Sequence, residues 1–478
     1  MRLAEHLDVL EAGPTGPEVA AFFDLDGTLV SGFTANAFLT DRVRHRELGL
    51  AAAASTVAAA VDGTLLGGSP TRAGELAFKS LSGLEEDSLV ELGERLFVQE
   101  IARTIRPEAR ALVRAHRRLG HTVVISSAAT RFQVAPVARD LGIDHLVCTE
   151  AEVVDGVLTG KVRGAMRWGP GKGAGVREFA RANGIDLRRS YGYGNGNEDI
   201  DFLATVGSPV ALSPDSGLRR AAQRSRWPVL DLADPASGDL GSSVRTLIAL
   251  GGMNAGAMAG IAIGLATGSR RRGTNAGISL GTGFALKAAG VQLDVRGADL
   301  LDAHRPAVVV ANHQSALDPV VLAAVLGHDF TAVAKKEARF DPRALLGSAL
   351  LDPVYIDRGD SASARASMAA VGDRIREGTS IMVFPEGTRS PTPVLGRFRK
   401  GAFHLAIETG APVLPVVLHN TGEILPRNAY AIRPGTIRVT VLPAISDWTL
   451  DNLGERVEDL HARFADVLAA DLPEGEPR

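Results

Sequence analysis

Two short stretches of this chain carry residues that could do chemistry together. Asn312-His313-Gln314-Ser315-Ala316-Leu317-Asp318 places an imidazole ahead of a carboxylate. Phe384-Pro385-Glu386-Gly387-Thr388-Arg389-Ser390 places a glutamate and an arginine on either side of a glycine turn. A neutral imidazole oriented by a carboxylate is a general base. It can take the proton of a hydroxyl as that hydroxyl attacks a thioester carbonyl. A planar guanidinium suits a phosphate monoester. The two stretches point to acyl transfer onto a phosphate-bearing alcohol, with the substrate hydroxyl as nucleophile and no acyl-enzyme.

The spacing alone is cheap. The chain has 11 His, and His-x-x-x-x-Asp recurs at His461 and Asp466. That copy lies in Leu453 to Leu468, whose apolar residues recur at helical spacing, so it reads as the surface of a terminal helix. His313 is set apart by the elements that must position it. Ala307 to Ala311 and Ser380 to Phe384 are apolar runs that read as buried strands. Side chains just past strand ends are where an α/β sheet binds its ligands. Thr436 to Val441 alternates as a half-exposed strand after the turn Arg433-Pro434-Gly435.

Residues 291 to 446 resemble the glycerolipid acyltransferases of the lysophosphatidic acid acyltransferase type. Four ordered blocks carry the resemblance. They are Asn312-His313 to Asp318-Pro319; Ala334-Lys335-Lys336-Glu337 to Ile356-Asp357-Arg358; Phe384 to Ser390 with Phe398-Arg399-Lys400-Gly401; and Ala411-Pro412-Val413-Leu414-Pro415-Val416. The resemblance implies that His313 and Asp318 are catalytic. It also implies that Arg389, Arg358 and Lys335 bind the phosphate of the acceptor, and that Glu386 and Gly387 shape that site. Arg358 can equally serve a surface ion pair with Asp357 or Asp360, and Lys336 and Arg399 read as surface residues.

A second chemical centre lies near the N-terminus. The apolar run Ala20 to Phe23 ends in Asp24-Leu25-Asp26-Gly27-Thr28-Leu29. Later come a strand with Ser126-Ser127-Ala128 at its end, then Gly171-Lys172-Gly173, then Tyr193-Gly194-Asn195-Gly196-Asn197-Glu198-Asp199. Gly171-Lys172 lacks the upstream glycine and the following Ser or Thr of a phosphate-binding P-loop. In this order the motifs resemble the haloacid-dehalogenase phosphatases, close to the phosphoserine phosphatase group, over residues 18 to about 235. The resemblance implies that Asp24 is the nucleophile and Asp26 the acid and base, a known carboxylate role. Ser127 and Lys172 would hold the phosphoryl oxygens. Mg²⁺ would be held by Asp24, Asp26, Asn195 and Asp199, with waters completing its shell. Asn195 departs from the family, which has Asp there. An amide oxygen can coordinate but brings no charge. Either Asp199 compensates or the site is weakened.

Composition fits two enzymes on one chain. The length of 478 residues suits two to three domains. A net charge of −3 excludes a general nucleic-acid-binding character, and a single Cys excludes an internal disulfide or a Cys-cluster metal site. Met1 to His6 lacks the apolar core of a signal peptide, so the catalytic parts are expected in the cytoplasm. Leu247 to Gly268 passes without a charge and is followed by Arg270-Arg271-Arg272. Ile278 to Val291, with Lys287, forms a second apolar stretch. A helical hairpin entering one leaflet places both ends on the cytoplasmic face, with the arginines attracted to anionic lipid. A buried Ala/Gly helix pair packed on the acyltransferase is the other reading of the same stretch.

The expected architecture is therefore α/β: a Rossmann-like haloacid-dehalogenase domain with a helical cap, then a glycerolipid-acyltransferase α/β domain. Residues 1–17 are expected as a tail, 18–235 as the phosphatase-like domain with its cap at about 34–105, and 236–290 as linker and hairpin. Residues 291–470 would form the acyltransferase and 471–478 a C-terminal tail. The expected partners are acyl-CoA, a lysophospholipid and the anionic membrane surface, with no nucleic acid; homo-oligomerisation is open. Two functions stand. One is an enzyme that makes phosphatidic acid from acyl-CoA and lysophosphatidic acid, fused to a Mg²⁺-dependent phosphomonoesterase. The other is an acyltransferase, for that acceptor, glycerol phosphate or another lysophospholipid, whose N-terminal domain only binds or scaffolds.

Overall fold

Alternating strands and helices build two α/β units, each around its own sheet. The computed structural model describes residues 2–45, 70–232, 240–335, 353–356, 370–426 and 429–470. The chain divides into a unit ending at Ser237 and a unit running from Gly238 to Pro473.

In the first unit β1 (Ala20–Phe23), β2 (Thr122–Thr130), β3 (His145–Thr149), β6 (Tyr191–Gly194), β7 (Ser208–Leu212) and β8 (Val229–Leu230) form one sheet in the order β3-β2-β1-β6-β7-β8. Every pairing in it is parallel. A parallel sheet is covered on both faces, so its strands read as continuous apolar runs. Ala21 and Phe23 enter one core, Ala20 and Phe22 the other. A small antiparallel pair, β4 (Ala151–Val154) with β5 (Val157–Val162), stands apart. The described part of residues 34–105 is helical, with helices at Thr34–Arg44, Pro70–Lys79 and Glu86–Leu96. Residues 46–69 of the expected cap lie outside the described residues.

The expectation of an N-terminal tail is corrected. Leu3–Glu11 is a helix whose Leu10 is fully buried. It brings His6, 3% exposed, into the core. There a chain of hydrogen bonds forms with a single direction. His121 Nε2 lies 2.7 Å from the Pro14 carbonyl, which can only accept, so that nitrogen carries the proton. His121 Nδ1 therefore accepts from His116 Nδ1 at 2.8 Å. His116 Nε2 then accepts from the Tyr193 hydroxyl at 2.8 Å, and the Tyr193 oxygen accepts from His6 Nε2 at 2.8 Å. Burial drives His116 well below its usual range, His6 down to about 4 and His121 downward too, so all three rings stay neutral.

In the second unit β9 (Val291–Arg296), β10 (Val308–Ala311), β11 (Phe330–Lys335), β12 (Val354–Ile356), β13 (Ser380–Val383), β14 (Val413–Leu418) and β15 (Gly435–Val441) form a sheet in the order β12-β11-β13-β10-β14-β15-β9. The five strands from β12 to β14 are parallel, and β15 turns antiparallel to β14. Val309 and Ala311 face one core, Val308 and Val310 the other. The terminal helix Leu453–Ala470 packs Val457, Leu460 and Phe464 on the second. Residues 471–478 lie outside the described residues.

Before β9 stand two antiparallel partners, the helices Leu240–Thr267 and Arg270–Ala289, joined at Gly268. Glycine alone lets their backbones approach. A Cβ at Gly256 would lie 2.3 Å from Gly281 Cα, and one at Gly260 would lie 2.7 Å from Gly277 Cα. Small residues at every fourth position do this between apolar helices generally. Ile278, Ala285, Leu286 and Ala289 enter the core beneath β10 and β14. The first helix faces outward, with Leu247 69% and Leu265 81% exposed. Its span Gly241–Thr267 is long and apolar enough to cross a membrane. Arg271 is committed within the protein: its Nε donates to Asp329 Oδ1 at 2.5 Å, which Asn275 Nδ2 joins at 2.9 Å. That ion pair holds the Asp329 carboxyl well below the usual carboxylate range.

A lowered histidine pKa contributes stability above the ordinary value that is lost as pH falls through the folded one. For His6 the window is pH 6.5 to about 4 and the loss is roughly 3 kcal/mol. Hydrogen-exchange protection of β1 and β6 is expected to fall across this window in the wild type. In His6→Phe the fall should be shallower. An equal pH dependence in both proteins would show that His6 is not the group whose protonation lowers stability in this window.

Candidate active sites

The acyltransferase-like centre begins where β10 stops. Val310 pairs with Val383 and Ala311 with Val416, so the ends of β13, β10 and β14 lie side by side. Asn312 locks two of them. Its Nδ2 donates to the Leu418 carbonyl and its Oδ1 accepts from Leu418 N, both at 2.8 Å. His313 then leaves the sheet with its ring stacked on Phe384, 4.1 Å between centroids. Asp318 opens the helix Asp318–Leu326 with Pro at its first turn. The carboxylate is fully buried. Its Oδ2 accepts from Gln314 N at 2.6 Å and Ser315 N at 2.7 Å and meets His313 Nδ1 at 2.7 Å. An ionised carboxylate only accepts, so Nδ1 carries the proton and Nε2 presents a lone pair.

The second stretch is tied to the first by its backbone. His313 N donates to Glu386 Oε1 at 2.6 Å, and Ser390 N donates to the His313 carbonyl at 2.7 Å. Glu386 Oε2 accepts from Gly396 N at 2.8 Å and from the Ser390 hydroxyl. Burial pushes the Glu386 carboxyl up while these donors pull it down. Both Glu386 oxygens are thus engaged within the protein, one by the loop that carries His313 and the other by Ser390 and Gly396 of its own segment. Gly387 sits at φ 74°, a left-handed position that a Cβ strains. Arg389 is half-buried two residues beyond it. Lys335 closes β11, and its side chain, like all of Arg358 and Lys336, lies outside the described residues. His461 is not on the open surface expected for it. Its Nε2 meets the Gly396 carbonyl at 3.2 Å and its ring packs edge-on against Phe398 at 5.1 Å.

The other centre lies at the end of β1. Phe23 pairs with Ile125 on one side and Tyr193 on the other, which sets Asp24 level with Ser126 and Gly194. Lys172 comes in on the helix Pro170–Asn183 and is almost fully buried. Its Nζ bonds Asp24 Oδ1 at 2.6 Å and Asp199 Oδ1 at 2.5 Å. Burial works against the ammonium, but Asp199 and Asp24 outweigh it and its pKa is raised. Burial pushes Asp24 up to about 8 against the pull of Lys172, and Asp26 up to about 6. Asp26 turns away from Asp24 to accept from Thr34 N at 2.7 Å and Thr34 Oγ1 at 3.3 Å. Ser127 is buried within β2, where its Oγ accepts from Ala129 N at 3.1 Å.

Asp199 is corrected as a metal ligand. One oxygen belongs to Lys172, and the other accepts from Asn195 N at 2.9 Å and Gly196 N at 3.0 Å. It fixes the loop instead. Among the described residues no three His, Cys, Asp or Glu side chains converge on one point. The oxygens that do converge are of mixed kind. The Asn195 amide head stands 2.8 Å from the Asp26 carbonyl oxygen and 3.3 Å from Asp24 Oδ2. Six oxygens at the roughly 2.1 Å of a magnesium site lie about 3 Å apart along each edge of the octahedron. The Asn195 oxygen therefore stands about one octahedral edge from both the Asp26 carbonyl and Asp24 Oδ2, so these residues fit such a site.

Sequence reasoning quoted Asn312, Phe384, Ser390 and Thr28 within the motif stretches but gave them no role, and it did not single out Gly396 or Thr34. None is a group that reacts, so residue type gave no signal.

The haloacid dehalogenase-like hydrolase family matches residues 21–204, and the acyltransferase family matches residues 292–419. The chain is 33% identical over 224 residues to a phosphoserine phosphatase of Mycobacterium tuberculosis, covering 46% of this chain and 72% of that one. It is 35% identical over 158 residues to the 1-acyl-sn-glycerol-3-phosphate acyltransferase of Pseudomonas aeruginosa, covering 33% of this chain and 60% of that enzyme's length. The solved 1-acyl-sn-glycerophosphate acyltransferase of Thermotoga maritima is 22% identical at a TM-score of 0.41, covering 48% of this chain and 96% of that one. Over its N-terminal half the chain belongs to the haloacid dehalogenase-like hydrolases, and it carries behind them a domain of the acyltransferase family.

Proposed function

We propose that this chain is a bifunctional glycerolipid enzyme. Its second unit transfers an acyl chain from acyl-CoA to the free hydroxyl of lysophosphatidic acid and so makes phosphatidic acid. The observation that carries this reading is the His313–Asp318 pair. Asp318, itself held by two backbone N–H groups, fixes the tautomer that leaves Nε2 as the base. The acceptor hydroxyl gives its proton to Nε2 as its oxygen attacks the thioester carbon. The imidazolium that forms rests against Asp318, and the proton leaves with the thiolate as the tetrahedral species collapses. Arg389 supplies the charge that recognises the acceptor phosphate. The hairpin of residues 240–289 attaches this unit to the cytoplasmic face of the membrane, through its outward apolar residues.

The first unit hydrolyses a phosphate monoester. Asp24 attacks phosphorus while Lys172 steadies the phosphoryl oxygens, and Asp26, its pKa raised toward neutrality, gives the leaving oxygen a proton. Asp26 then takes a proton from the water that cleaves the aspartyl-phosphate. Mg²⁺ held by Asp24, the Asp26 carbonyl and Asn195 would supply positive charge to the phosphoryl group. One observation favours the second reading, a unit that binds without turnover: Asn195 brings no charge to a site where Asp199 is already committed.

Four measurements test this. His313→Ala should lower acyl transfer at least about 10²-fold and leave phosphate release unchanged. Glu386→Gln should lower kcat by roughly 10-fold with little change in the acceptor KM, because one charged hydrogen bond to the His313 loop is weakened. Arg389→Lys should do the reverse and raise the KM, since it loses the planar fork. A raised KM in Glu386→Gln would place its carboxylate in the acceptor site after all. Asp24→Asn should abolish phosphate release without touching acyl transfer; if no phosphate ester is hydrolysed even by wild type at saturating Mg²⁺, the binding reading holds.

A further inference from the structure

Asn195 is held in place on every side. Its N–H donates to Asp199 Oδ2 at 2.9 Å, and its carbonyl accepts from Asp215 N at 2.8 Å. Its amide lies against Gly27, where a Cβ would stand 2.1 Å from it. With the backbone fixed, the head can turn over where it stands. An amide is nearly the same shape both ways round, and its two ends differ only in what they donate and accept. One of those ends points into a niche made by the Asp26 carbonyl at 2.8 Å, Asp24 Oδ2 at 3.3 Å and Thr28 Oγ1 at 3.2 Å.

We propose that Asn195 is a two-position latch for the cation site. With its NH₂ in the niche, it donates to the Asp26 carbonyl and to Asp24 Oδ2, the two oxygens that would otherwise hold a divalent cation. With its oxygen in the niche, it accepts from Thr28 Oγ1 and joins the other two oxygens as a third ligand, at separations that match the edges of a magnesium octahedron. An aspartate here can take only the second part. It would add a further negative charge beside Asp24, Asp26 and Asp199, with Lys172 already spent on two of them. The latch has two consequences. The loop Tyr193 to Asp199 keeps its shape in chelator, because the amide protons stand in for the metal. The cation binds weakly, because it must first break those two hydrogen bonds. The inference rests on the cation site and not on turnover, so it stands or falls separately from the phosphatase reading.

The test is hydrogen–deuterium exchange on the full chain, comparing EDTA with saturating Mg²⁺, read on peptides covering residues 20–30 and 191–199. Wild type should differ little between the two conditions. Asn195→Asp should exchange about 10-fold faster in EDTA, consistent with losing a charge-assisted hydrogen bond and gaining repulsion, and Mg²⁺ should restore it. Asn195→Ala should exchange faster in EDTA without restoration. A second measurement needs no variant: with ¹⁵N-labelled asparagine, the Asn195 side-chain NH₂ should be protected in EDTA and lose protection on adding Mg²⁺. The latch is overturned if that NH₂ exchanges equally in both conditions, or if Asn195→Asp in EDTA is as protected as wild type.

Discussion

Asp318 carries its charge with no surface exposed to water, and the geometry of the acyltransferase-like centre follows from that constraint. A buried carboxylate must find its donors within the protein. Here they are two backbone N–H groups and the His313 ring, all on one short loop. The loop can curl around the carboxylate only because Asn312 pins its start to β14 and the helix at Asp318 pins its end. Glu386 extends the same logic across to the neighbouring strand. It is the fastener between two motifs far apart in sequence, and His461 and Phe398 support the Gly396 turn behind it.

The first unit solves a related problem with an ammonium. Lys172 is buried between Asp24 and Asp199, whose charges together outweigh the cost of burying its ammonium. One carboxylate of the pair is the candidate nucleophile and the other is the support of the Asn195 loop. The same side chain therefore sets the charge at the reacting oxygen and the shape of the loop beside it. In both units the reactive groups sit where parallel strands end, and the strands reach that point because both of their faces are covered by apolar side chains.

Much of this was legible in the sequence. The runs Ala20 to Phe23, Ala307 to Ala311 and Ser380 to Phe384 gave strands whose ends place the motif residues, and the family resemblance named both domains correctly. What was not legible was direction. A sequence gives the type of Glu386 and Asp199 but not which way their oxygens face, and both turn inward to backbone N–H groups. Context misled in the same way at Arg271, which a run of three arginines hid as a lipid contact and which bonds Asp329. The first residues looked like a tail because a single short helix carries no periodic signal strong enough to stand alone. Its anchor, His6, finds its partner 187 residues away.

That anchor has a consequence for how the unit can change by mutation. The proton order through His121, His116, Tyr193 and His6 is dictated from one end by the carbonyl of Pro14, an atom of the main chain. No side-chain replacement removes it. His121, His116 and Tyr193 each donate in one direction and accept from the other, and His6 donates at the far end, so a substitution at any of them leaves a buried donor or acceptor without its partner. Such a set behaves as one inherited character: single exchanges carry the cost of a buried mismatch, and the alternatives reachable in sequence space are those that replace several members at once with apolar groups.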